Sequence, residues 1–257
     1  MKNLEGKIVL ITGASSGIGE ACAKKFAELK ANLIITARRK ERIEKLSNEL
    51  SVKYKIKVLP ISLDVRNFNS VKSFYENLTP DWKAIDILVN NAGLARGLDK
   101  FYEGKIEDWD EMIDTNIKGL LYVSRVIVPQ MVERESGHII NIGSTAGHEP
   151  YPMGNVYVAT KFAVKALSQS FRIDLLEKGI KVTSVDPGMV ETEFSKVRFH
   201  GDEQRAKKVY EGLEPLTPDD VADAVIFAAT RPKHVNINQM VLTPIAQASS
   251  NFVYRKK

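Results

Sequence analysis

The chain is poor in the residues that build disulfides and metal sites. It has 257 residues but one cysteine, Cys22, so no disulfide can form within it. Four histidines are scattered along the sequence without metal-ligand spacing. They are His138, His148, His200 and His234. We therefore expect chemistry that uses no metal ion, and we expect Cys22 to be a small core side chain.

Long apolar runs are also missing. No stretch approaches the ~20 apolar residues that a membrane-spanning helix needs, and the first residues lack a secretory pattern. We therefore expect no membrane partner and a cytoplasmic location.

Charge of one sign is not concentrated anywhere. Lys and Arg outnumber Asp and Glu by 37 to 32, which gives a net charge of +5. Basic and acidic residues alternate in stretches such as residues 37–50, ARRKERIEKLSNEL, a pattern typical of a solvated helix face. The sequence therefore predicts no nucleic-acid partner, and its positive balance suits small anionic ligands.

The remaining composition fits one large α/β domain spanning residues 1–257. Hydrophobic residues make up 44% of the chain, enough for a single core. Short apolar strands alternate with longer helical patterns and no linker interrupts them. This alternation predicts a parallel sheet with helices on both faces.

A glycine-rich turn follows the first apolar run, residues 8–11. The turn reads TGASSGIG, residues 12–19, and leads into a helical pattern. Gly13 permits a tight turn, Gly17 lets backbone approach a pyrophosphate, and Gly19 allows close helix packing. A purely structural turn looks similar, but the strand-turn-helix context favours a dinucleotide site. The predicted contacts in this turn are Gly13, Ala14, Ser15, Ser16, Gly17, Ile18 and Gly19.

The second predicted strand, residues 31–36, ends close to Arg38 and Arg39. NAD sites usually carry an acidic residue at this point, about 20 residues beyond the glycine turn. Two arginines can instead hold a 2′-phosphate through charge-assisted hydrogen bonds, which predicts NADP. The alternative is that both arginines only begin a solvated helix.

Tyr157 and Lys161 lie four residues apart in a helical pattern, which places both on one helix face. A fixed ammonium beside a phenol favours the phenolate, by about 4 kcal/mol at a separation of about 4 Å in a partly screened site. A core tyrosine followed by a solvated lysine is the ordinary alternative. The glycine turn and the arginines favour the chemical interpretation.

Several motifs together resemble the short-chain dehydrogenase/reductase family. They are TGASSGIG, the NNAG of residues 90–93, Asn116, Ser144, Tyr157, Lys161 and the PGMVET of residues 187–192. Three further stretches resemble the NADP-dependent 3-hydroxy acid dehydrogenases within that family: NIGSTAG (141–147), VETEFSKVRFHGDE (190–203) and LTPIAQAS (242–249). The resemblance covers nearly the whole chain and implies a Rossmann-type doubly wound sheet with strand order 3-2-1-4-5-6-7, whose last strand lies near residues 239–243.

The resemblance also implies catalytic roles. Tyr157 would be the general acid or base, and Lys161 would lower its pKa and hold the nicotinamide ribose. Ser144 would donate a hydrogen bond to the substrate oxygen, although a serine at a strand end is often a turn residue. Asn116 would hold a water in a proton relay to Lys161, which would explain an asparagine in mid-helix.

Further NADP contacts follow from the same resemblance. Asp64 and Val65 would border the adenine, although Asp64 could instead help to cap a helix after Asn67. Thr192 would orient the carboxamide, or cap a short helix. The remaining predicted contacts are Asn91, Gly93, Pro187, Gly188 and Val190, with Tyr157 and Lys161.

A 3-hydroxy acid needs a cation for its carboxylate, and arginine is the natural candidate. Arg198 is the first candidate to bind this carboxylate, Arg96 is the second and His148 is the third. Ser144 and Tyr157 are the other predicted substrate contacts. The segment of residues 189–213 is predicted to be a substrate lid. The C-terminal tail is predicted to span residues 244–257. Its ending NFVYRKK, residues 251–257, has no partner recognisable in sequence, so packing across a subunit interface and a frayed end both stay open.

Three functions remain open at this point. The first is an NADP-dependent dehydrogenase of serine, allo-threonine, 3-hydroxyisobutyrate or 3-hydroxypropionate, which would reduce malonic semialdehyde in reverse. The second is a 3-oxoacyl thioester reductase, and the third a non-catalytic NADP-sensing module. Apolar residues in excess on helical stretches 117–128 and 156–171 favour helix pairing between subunits, and we expect a homotetramer.

Overall fold

A seven-stranded parallel sheet forms the centre of the protein. The computed structural model describes residues 3–256. The strand order is β3-β2-β1-β4-β5-β6-β7, and every pair of neighbours is parallel. The strands are β1 Ile8–Thr12, β2 Asn32–Ala37, β3 Val58–Ser62, β4 Ile87–Asn90, β5 His138–Ile142, β6 Lys181–Pro187 and β7 Gln239–Leu242. The order and the last strand confirm the prediction, and β2 begins one residue later than expected.

Helices cover both faces of this sheet. The α-helices are α1 Gly17–Glu28, α2 Lys40–Tyr54, α3 Phe68–Glu76, α4 Pro80–Lys83, α5 Ile106–Ile113, α6 Leu120–Glu133, α7 Asn155–Asp174, α8 Phe194–Arg198, α9 Glu203–Lys208 and α10 Pro218–Ala229. A π-helical segment, Asp114–Gly119, joins α5 to α6. Short 3₁₀ turns occupy Thr145–Gly147 and Leu176–Lys178.

Alternating side chains of the strands build two cores. Val9 and Ile11 of β1 belong to the core shared with α1, α2 and α10. Ile8 and Leu10 belong to the core shared with α3, α6 and the end of α7. Because successive strand side chains point to opposite faces, a strand covered on both sides must be apolar throughout. The continuous apolar runs of the sequence have this cause.

Local capping sets where individual helices begin. The hydroxyl of Thr217 accepts from the Asp220 amide while the Asp220 carboxylate accepts from the Thr217 amide, and Pro218 follows at the first helical position of α10. The side chain of Asn67 caps α3 in the same way, by accepting from the Ser70 amide at 2.9 Å. Asp64 is therefore not the cap of that helix.

The segment after β6 and the end of the chain pack against each other. The segment of residues 189–213 contains α8 and α9. The backbone amide of Lys256 donates to the Gly212 carbonyl at 2.7 Å, and the Arg255 guanidinium donates to the carbonyls of Val209 and Glu211. The tail that had no recognisable partner in sequence thus has one in its own chain.

Within residues 3–256, no helix is both long and apolar enough to cross a membrane. The same residues contain no group of three or more His, Cys, Asp or Glu side chains placed to hold a metal ion.

Candidate active site

A cleft of about 460 Å³ opens at the carboxyl edge of the sheet, where the turns after β1, β2, β3, β4, β5 and β6 meet. In an open parallel sheet this edge is the usual position of a ligand site. The predicted site residues that line the cleft are Gly13, Ser15, Ser16, Gly17, Ile18, Arg38, Arg39, Asp64, Val65, Asn91, Gly93, Ser144, Tyr157, Lys161, Pro187, Gly188, Val190, Thr192 and Arg198. Five predicted residues do not line it: Ala14, Gly19, Arg96, Asn116 and His148.

The glycine turn needs its glycines for backbone geometry. Gly13 has φ +68°, and a Cβ there would lie 2.9 Å from the Cα of Ala92. A Cβ on Gly19 would lie 2.5 Å from the carbonyl oxygen of Gly13. Gly19 therefore packs on the turn itself rather than facing the cleft, and Ala14 is fully buried in the core. The residues of the turn that line the cleft are Gly13, Ser15, Ser16, Gly17 and Ile18.

Arg39 ties the glycine turn to the segment after β6. Its Nε donates to the Ser15 hydroxyl at 3.1 Å and its Nη2 to the Ser16 hydroxyl at 2.7 Å. Its Nη1 donates to the Glu193 carboxylate at 2.7 Å, and Arg42 Nη1 donates to the same carboxylate at 2.9 Å. Hydrogen bonds from Arg39 and Arg42 lower the pKa of Glu193 to about 2.

Arg38 and Asp64 lie beside this group. Arg38 Nη1 is 3.6 Å from a Glu111 carboxylate oxygen. Asp64 accepts from Arg66 through Nε at 3.0 Å and Nη2 at 2.6 Å, and these bonds lower the pKa of the Asp64 carboxyl. The end of β3 thus presents a fixed, ionised side chain to the cleft.

Tyr157 and Lys161 lie side by side on α7, and both are buried. Lys161 Nζ donates to the Ile142 carbonyl at 2.9 Å, and burial lowers its pKa to about 8 despite the opposing Asp186 carboxylate. Burial raises the pKa of the Tyr157 phenol, while the Arg198 guanidinium and a hydrogen bond with Ser144 oppose that rise. Lys161 Nζ and the Arg198 guanidinium carbon lie 5.9 Å and 5.0 Å from the centroid of the Tyr157 ring, so both place positive charge near the phenol. The role of Lys161 in lowering the pKa of Tyr157 stays a prediction.

Ser144 combines two roles that the sequence treated as alternatives. Its side chain accepts from the Ala146 amide at 3.1 Å and caps the 3₁₀ turn of residues 145–147. It also lines the cleft next to Tyr157. A turn residue at this strand end can therefore still donate its hydroxyl proton toward the cleft.

Asn116 lies behind the cleft, within the π-helical segment. Its Nδ2 donates to the Leu94 carbonyl at 2.8 Å and to the Thr160 hydroxyl at 3.0 Å, and its Oδ1 accepts from the Leu94 amide at 2.9 Å. Asn116 thus joins the loop after β4 to α7. Because both amide protons are used inside the protein, the side chain serves as a brace, and the water relay to Lys161 stays a prediction.

Arg198 is the cation nearest the Tyr157 phenol. Its guanidinium carbon lies 5.0 Å from the centroid of the Tyr157 ring, and Nη2 donates to the Tyr151 hydroxyl at 2.6 Å. Its Nε is buried and has no hydrogen-bond partner in the described residues. Arg198 lines the same cleft as Ser144 and Tyr157, so its guanidinium presents a positive charge to a ligand there.

The chain matches the short chain dehydrogenase family over residues 7–203. With the strand order, the glycine turn and the Tyr157 and Lys161 pair at the carboxyl edge, this match decides the assignment. The chain belongs to the short-chain dehydrogenase family.

Similar proteins with known names cover nearly the same length. An NADP-dependent 3-hydroxy acid dehydrogenase, YdfG of Salmonella typhi, is 49% identical over 242 residues, which are 94% of this chain and 96% of the relative. An NADP-dependent 3-hydroxy acid dehydrogenase of Schizosaccharomyces pombe is 44% identical over 258 residues, covering 100% of both chains.

Solved structures agree with that similarity. The closed form of a serine dehydrogenase complexed with NADP+ superposes with a TM-score of 0.92 at 45% identity, covering 97% of this chain and 100% of the other. The serine dehydrogenase of Escherichia coli gives a TM-score of 0.82 at 43% identity, covering 94% and 99%.

Two candidates for a substrate cation are placed elsewhere in this short-chain dehydrogenase. Arg96 Nε donates to Glu111 at 2.6 Å and its Nη1 donates to the Val197 carbonyl at 2.7 Å, so its guanidinium is occupied outside the cleft. His148 Nε2 lies 2.7 Å from the Asp186 carboxylate and does not line the cleft. Neither side chain lines the cleft, whereas Arg198 does, so Arg198 stays the first hypothesis for the substrate contact.

Sequence reasoning missed three residues of this short-chain dehydrogenase site. Arg42 follows Arg39 by three residues in one helix, a spacing that could have revealed it. Tyr151, which holds Arg198, lies between Ser144 and Tyr157 but has no distinctive spacing. Glu193 contacts arginines about 150 residues away in sequence, and no local pattern reveals such a contact.

Proposed function

We propose that the protein transfers hydride between NADP and the 3-hydroxyl group of a small 3-hydroxy acid, such as serine, allo-threonine, 3-hydroxyisobutyrate or 3-hydroxypropionate. The protein is an NADP-dependent oxidoreductase of the short-chain dehydrogenase family that acts on hydroxyl groups. What we propose beyond this activity is that the substrate carries a carboxylate. The observation that carries this proposal is the position of Arg198, which lines the cleft together with Ser144 and Tyr157 and whose guanidinium lies 5.0 Å from the centroid of the Tyr157 ring.

The residues of the cleft fit NADP. Ser15, Ser16 and Arg39 bring hydroxyl and guanidinium donors together beside the glycine turn, and Arg38 lines the cleft next to them. Such a set suits the 2′-phosphate, whereas an acid suits the ribose of NAD. Bound NADP supplies the two-electron redox chemistry, which no protein side chain provides.

Tyr157 is the proposed general base in oxidation and general acid in reduction. Its phenol is buried, and the positive charges of Arg198 and Lys161 lie 5.0 Å and 5.9 Å from the centroid of its ring. Positive charge stabilises the phenolate against the cost of burial. The Ser144 hydroxyl donates a hydrogen bond to the substrate oxygen as charge develops on it.

Arg198 is the proposed ligand of the substrate carboxylate. The Tyr151 hydroxyl fixes its guanidinium by accepting from Nη2, and Arg198 lines the cleft together with Ser144 and Tyr157. In a 3-hydroxy acid, two carbon-carbon bonds separate the carboxylate carbon from the carbon that carries the hydroxyl. The close approach of Arg198 to Tyr157 matches such a short substrate.

The segment of residues 189–213 is the proposed lid. It supplies Arg198 to the cleft and is fastened to the glycine turn by Glu193 and to the tail by Gly212. Segments that carry a substrate contact often close over the ligand and exclude water.

The thioester alternative fits less well. A 3-ketoacyl-(acyl-carrier-protein) reductase of Brucella melitensis, solved with NADH, is 27% identical. A thioester has no carboxylate next to its oxo group, so it would leave the Arg198 guanidinium buried without an anion. A non-catalytic sensor would have no use for the buried Tyr157 and Lys161 pair.

We also propose that the protein is a homotetramer. Ile173 and Leu176, at the end of α7 and just after it, are 75% and 73% exposed, and Val241 of β7 is 54% exposed. Large exposed apolar side chains on regular elements favour contacts between subunits.

The experiment that tests the function is a panel of initial rates of NADPH formation. The panel compares 3-hydroxy acids, a 3-hydroxyacyl thioester and simple alcohols, each with NADP+ and NAD+. We expect turnover of the acids with NADP+, and Tyr157→Phe should lower it by at least about 1,000-fold because the acid-base group is lost. Turnover of the thioester alone would contradict the proposal, and so would equal activity of Tyr157→Phe.

A further inference from the structure

Glu193 belongs to the lid segment and contacts the arginines at the cofactor end of the cleft. It lies directly before α8, at the helix N-cap position, and its carboxylate accepts from Arg39 at 2.7 Å and from Arg42 at 2.9 and 3.0 Å. The two arginines belong to the beginning of α2. A single carboxylate therefore fastens the start of the lid to the far side of the glycine turn.

The same guanidinium serves the cofactor site. Arg39 donates to Ser15 and Ser16 through Nε and Nη2, and to Glu193 through Nη1. A 2′-phosphate carries a charge of about −1.5 to −2 at neutral pH and prefers planar guanidinium donors. Glu193 is itself held ionised by its arginines, since its pKa is about 2. Two anions on one guanidinium repel each other, so each weakens the binding of the other.

The other end of α8 carries the proposed substrate contact. Arg198 closes this short helix, and its guanidinium lies against Tyr157. One short helix therefore joins the residue that contacts Arg39 and Arg42 to the residue that contacts Tyr157. The side chains of Arg39, Arg42 and Glu193 are 42%, 49% and 42% exposed. Because solvent reaches all three, a ligand can replace Glu193 as the partner of the arginines.

We propose that Glu193 competes with the 2′-phosphate of NADP for Arg39 and Arg42, so that it sets the affinity for NADP and links cofactor occupancy to the position of α8. This inference rests on the proposed function only in placing the 2′-phosphate of NADP at Arg39. Glu193 acts as a specificity-determining residue: its carboxylate weakens binding of every 2′-phosphorylated nucleotide and leaves nucleotides without that phosphate unaffected.

Calorimetric titration with 2′,5′-ADP and 5′-AMP tests the competition without any catalysis. Glu193→Gln keeps the shape of the side chain and removes its charge, and Glu191→Gln is the matched control because no salt bridge joins Glu191 to either arginine. We expect Glu193→Gln to bind 2′,5′-ADP about 3- to 10-fold more tightly, with 5′-AMP binding unchanged, and Glu191→Gln to behave as the wild type. Equal or weaker binding of 2′,5′-ADP by Glu193→Gln would overturn the competition.

Hydrogen exchange of the wild-type protein tests the link to α8. We expect 2′,5′-ADP to speed amide exchange in residues 193–198 relative to 5′-AMP, because the phosphate displaces Glu193. Glu193→Gln should show the faster exchange without nucleotide. Identical exchange with both nucleotides would refute the link.

The two proposals fail in different ways. Equal wild-type affinity for 2′,5′-ADP and 5′-AMP would show that the protein has no 2′-phosphate site. That result would contradict both the proposed contact of Arg39 with NADP and the role of Glu193. A clear wild-type preference for 2′,5′-ADP with no gain in Glu193→Gln would overturn the role of Glu193 alone.

Discussion

At the scale of single residues, burial shifts the pKa values of Tyr157 and Lys161 in opposite directions. It raises the pKa of the phenol and lowers that of the ammonium to about 8, since burial disfavours the charged form of either group. The structure compensates with positive charge from Arg198 near the phenol and with the Ile142 carbonyl at the ammonium. Burial of these two ionisable groups lowers the stability of the fold, and it keeps both groups in the site, where they can exchange protons.

The depressed pKa of Lys161 predicts a pH-dependent stability. Between about pH 8 and the ordinary lysine pKa, the unfolded chain binds more protons than the folded one at this site, so the contribution of Lys161 to stability rises with pH. Lys161→Met removes this dependence. We expect the free energy of unfolding of the wild type, relative to Lys161→Met, to increase from pH 7.5 to pH 10 in urea titrations. A constant difference would contradict the assignment.

The residue types of the site could be predicted from sequence, but their contacts could not. Tyr157 and Lys161 are neighbours on one helix, so local spacing was sufficient to pair them. Choosing among Arg198, Arg96 and His148 required knowing which one the fold brings to Tyr157. Burial, which controls both pKa values, is likewise a tertiary property that spacing does not record.

At the scale of elements, the π-helical segment Asp114–Gly119 positions Asn116 as a brace. Such segments inside α-helices often occur at functional sites. Here the segment directs one amide side chain to the Leu94 backbone and to Thr160 of α7. The loop after β4 is therefore fixed relative to the helix that carries Tyr157.

Replacing Asn116 tests this brace. Asn116→Ala leaves the buried amide and carbonyl of Leu94 unpaired, so we expect a loss of about 2–4 kcal/mol in the free energy of unfolding. The kcat should fall as well, because the loop and α7 lose their fixed distance. Chemical denaturation and steady-state rates measure both effects. A variant as stable as the wild type would contradict the role of Asn116.

The contact between the tail and the lid gives a second prediction at this scale. Arg255→Ala removes the side-chain bonds to Val209 and Glu211, whereas Lys256→Ala removes no bond because Lys256 uses its backbone amide. We expect Arg255→Ala to raise the KM for the 3-hydroxy acid severalfold and to speed proteolysis within residues 203–212, with NADP+ affinity unchanged. Equal behaviour of the two variants would rule out the tail as a support of the lid.

At the scale of the whole molecule, the fold could be predicted because its pattern repeats. Continuous apolar strands such as residues 8–12 and 32–37 alternate with amphipathic helices, and that alternation specifies a parallel sheet covered on both faces. Strand order came from the family resemblance, since periodicity alone does not say which strands are neighbours. The fastening of the lid by Glu193 and Arg255 depends on contacts between distant segments and could not be predicted.

Assembly is testable at the same scale. One chain has a mass of 28.7 kDa, and we expect light scattering to return about four times that mass, because large apolar side chains such as Ile173 remain exposed in the single chain. Ile173→Asp should shift the protein to smaller species if the end of α7 contributes to the interface, with the exposed Ser70→Asp as the control. A monomer mass for the wild type would contradict the tetramer.

A comparison of kcat/KM for a 3-hydroxy acid and for its methyl ester, in the wild type and in Arg198→Gln, shows whether Arg198 selects the carboxylate. We expect the wild type to prefer the acid strongly. Arg198→Gln should slow both substrates, because the charge beside Tyr157 is lost. It should lose about 10- to 100-fold more in kcat/KM on the acid than on the ester, because a charge-assisted hydrogen bond to the carboxylate is lost as well. An unchanged value for the acid, or an equal loss on acid and ester, would contradict the claim that Arg198 selects a carboxylate.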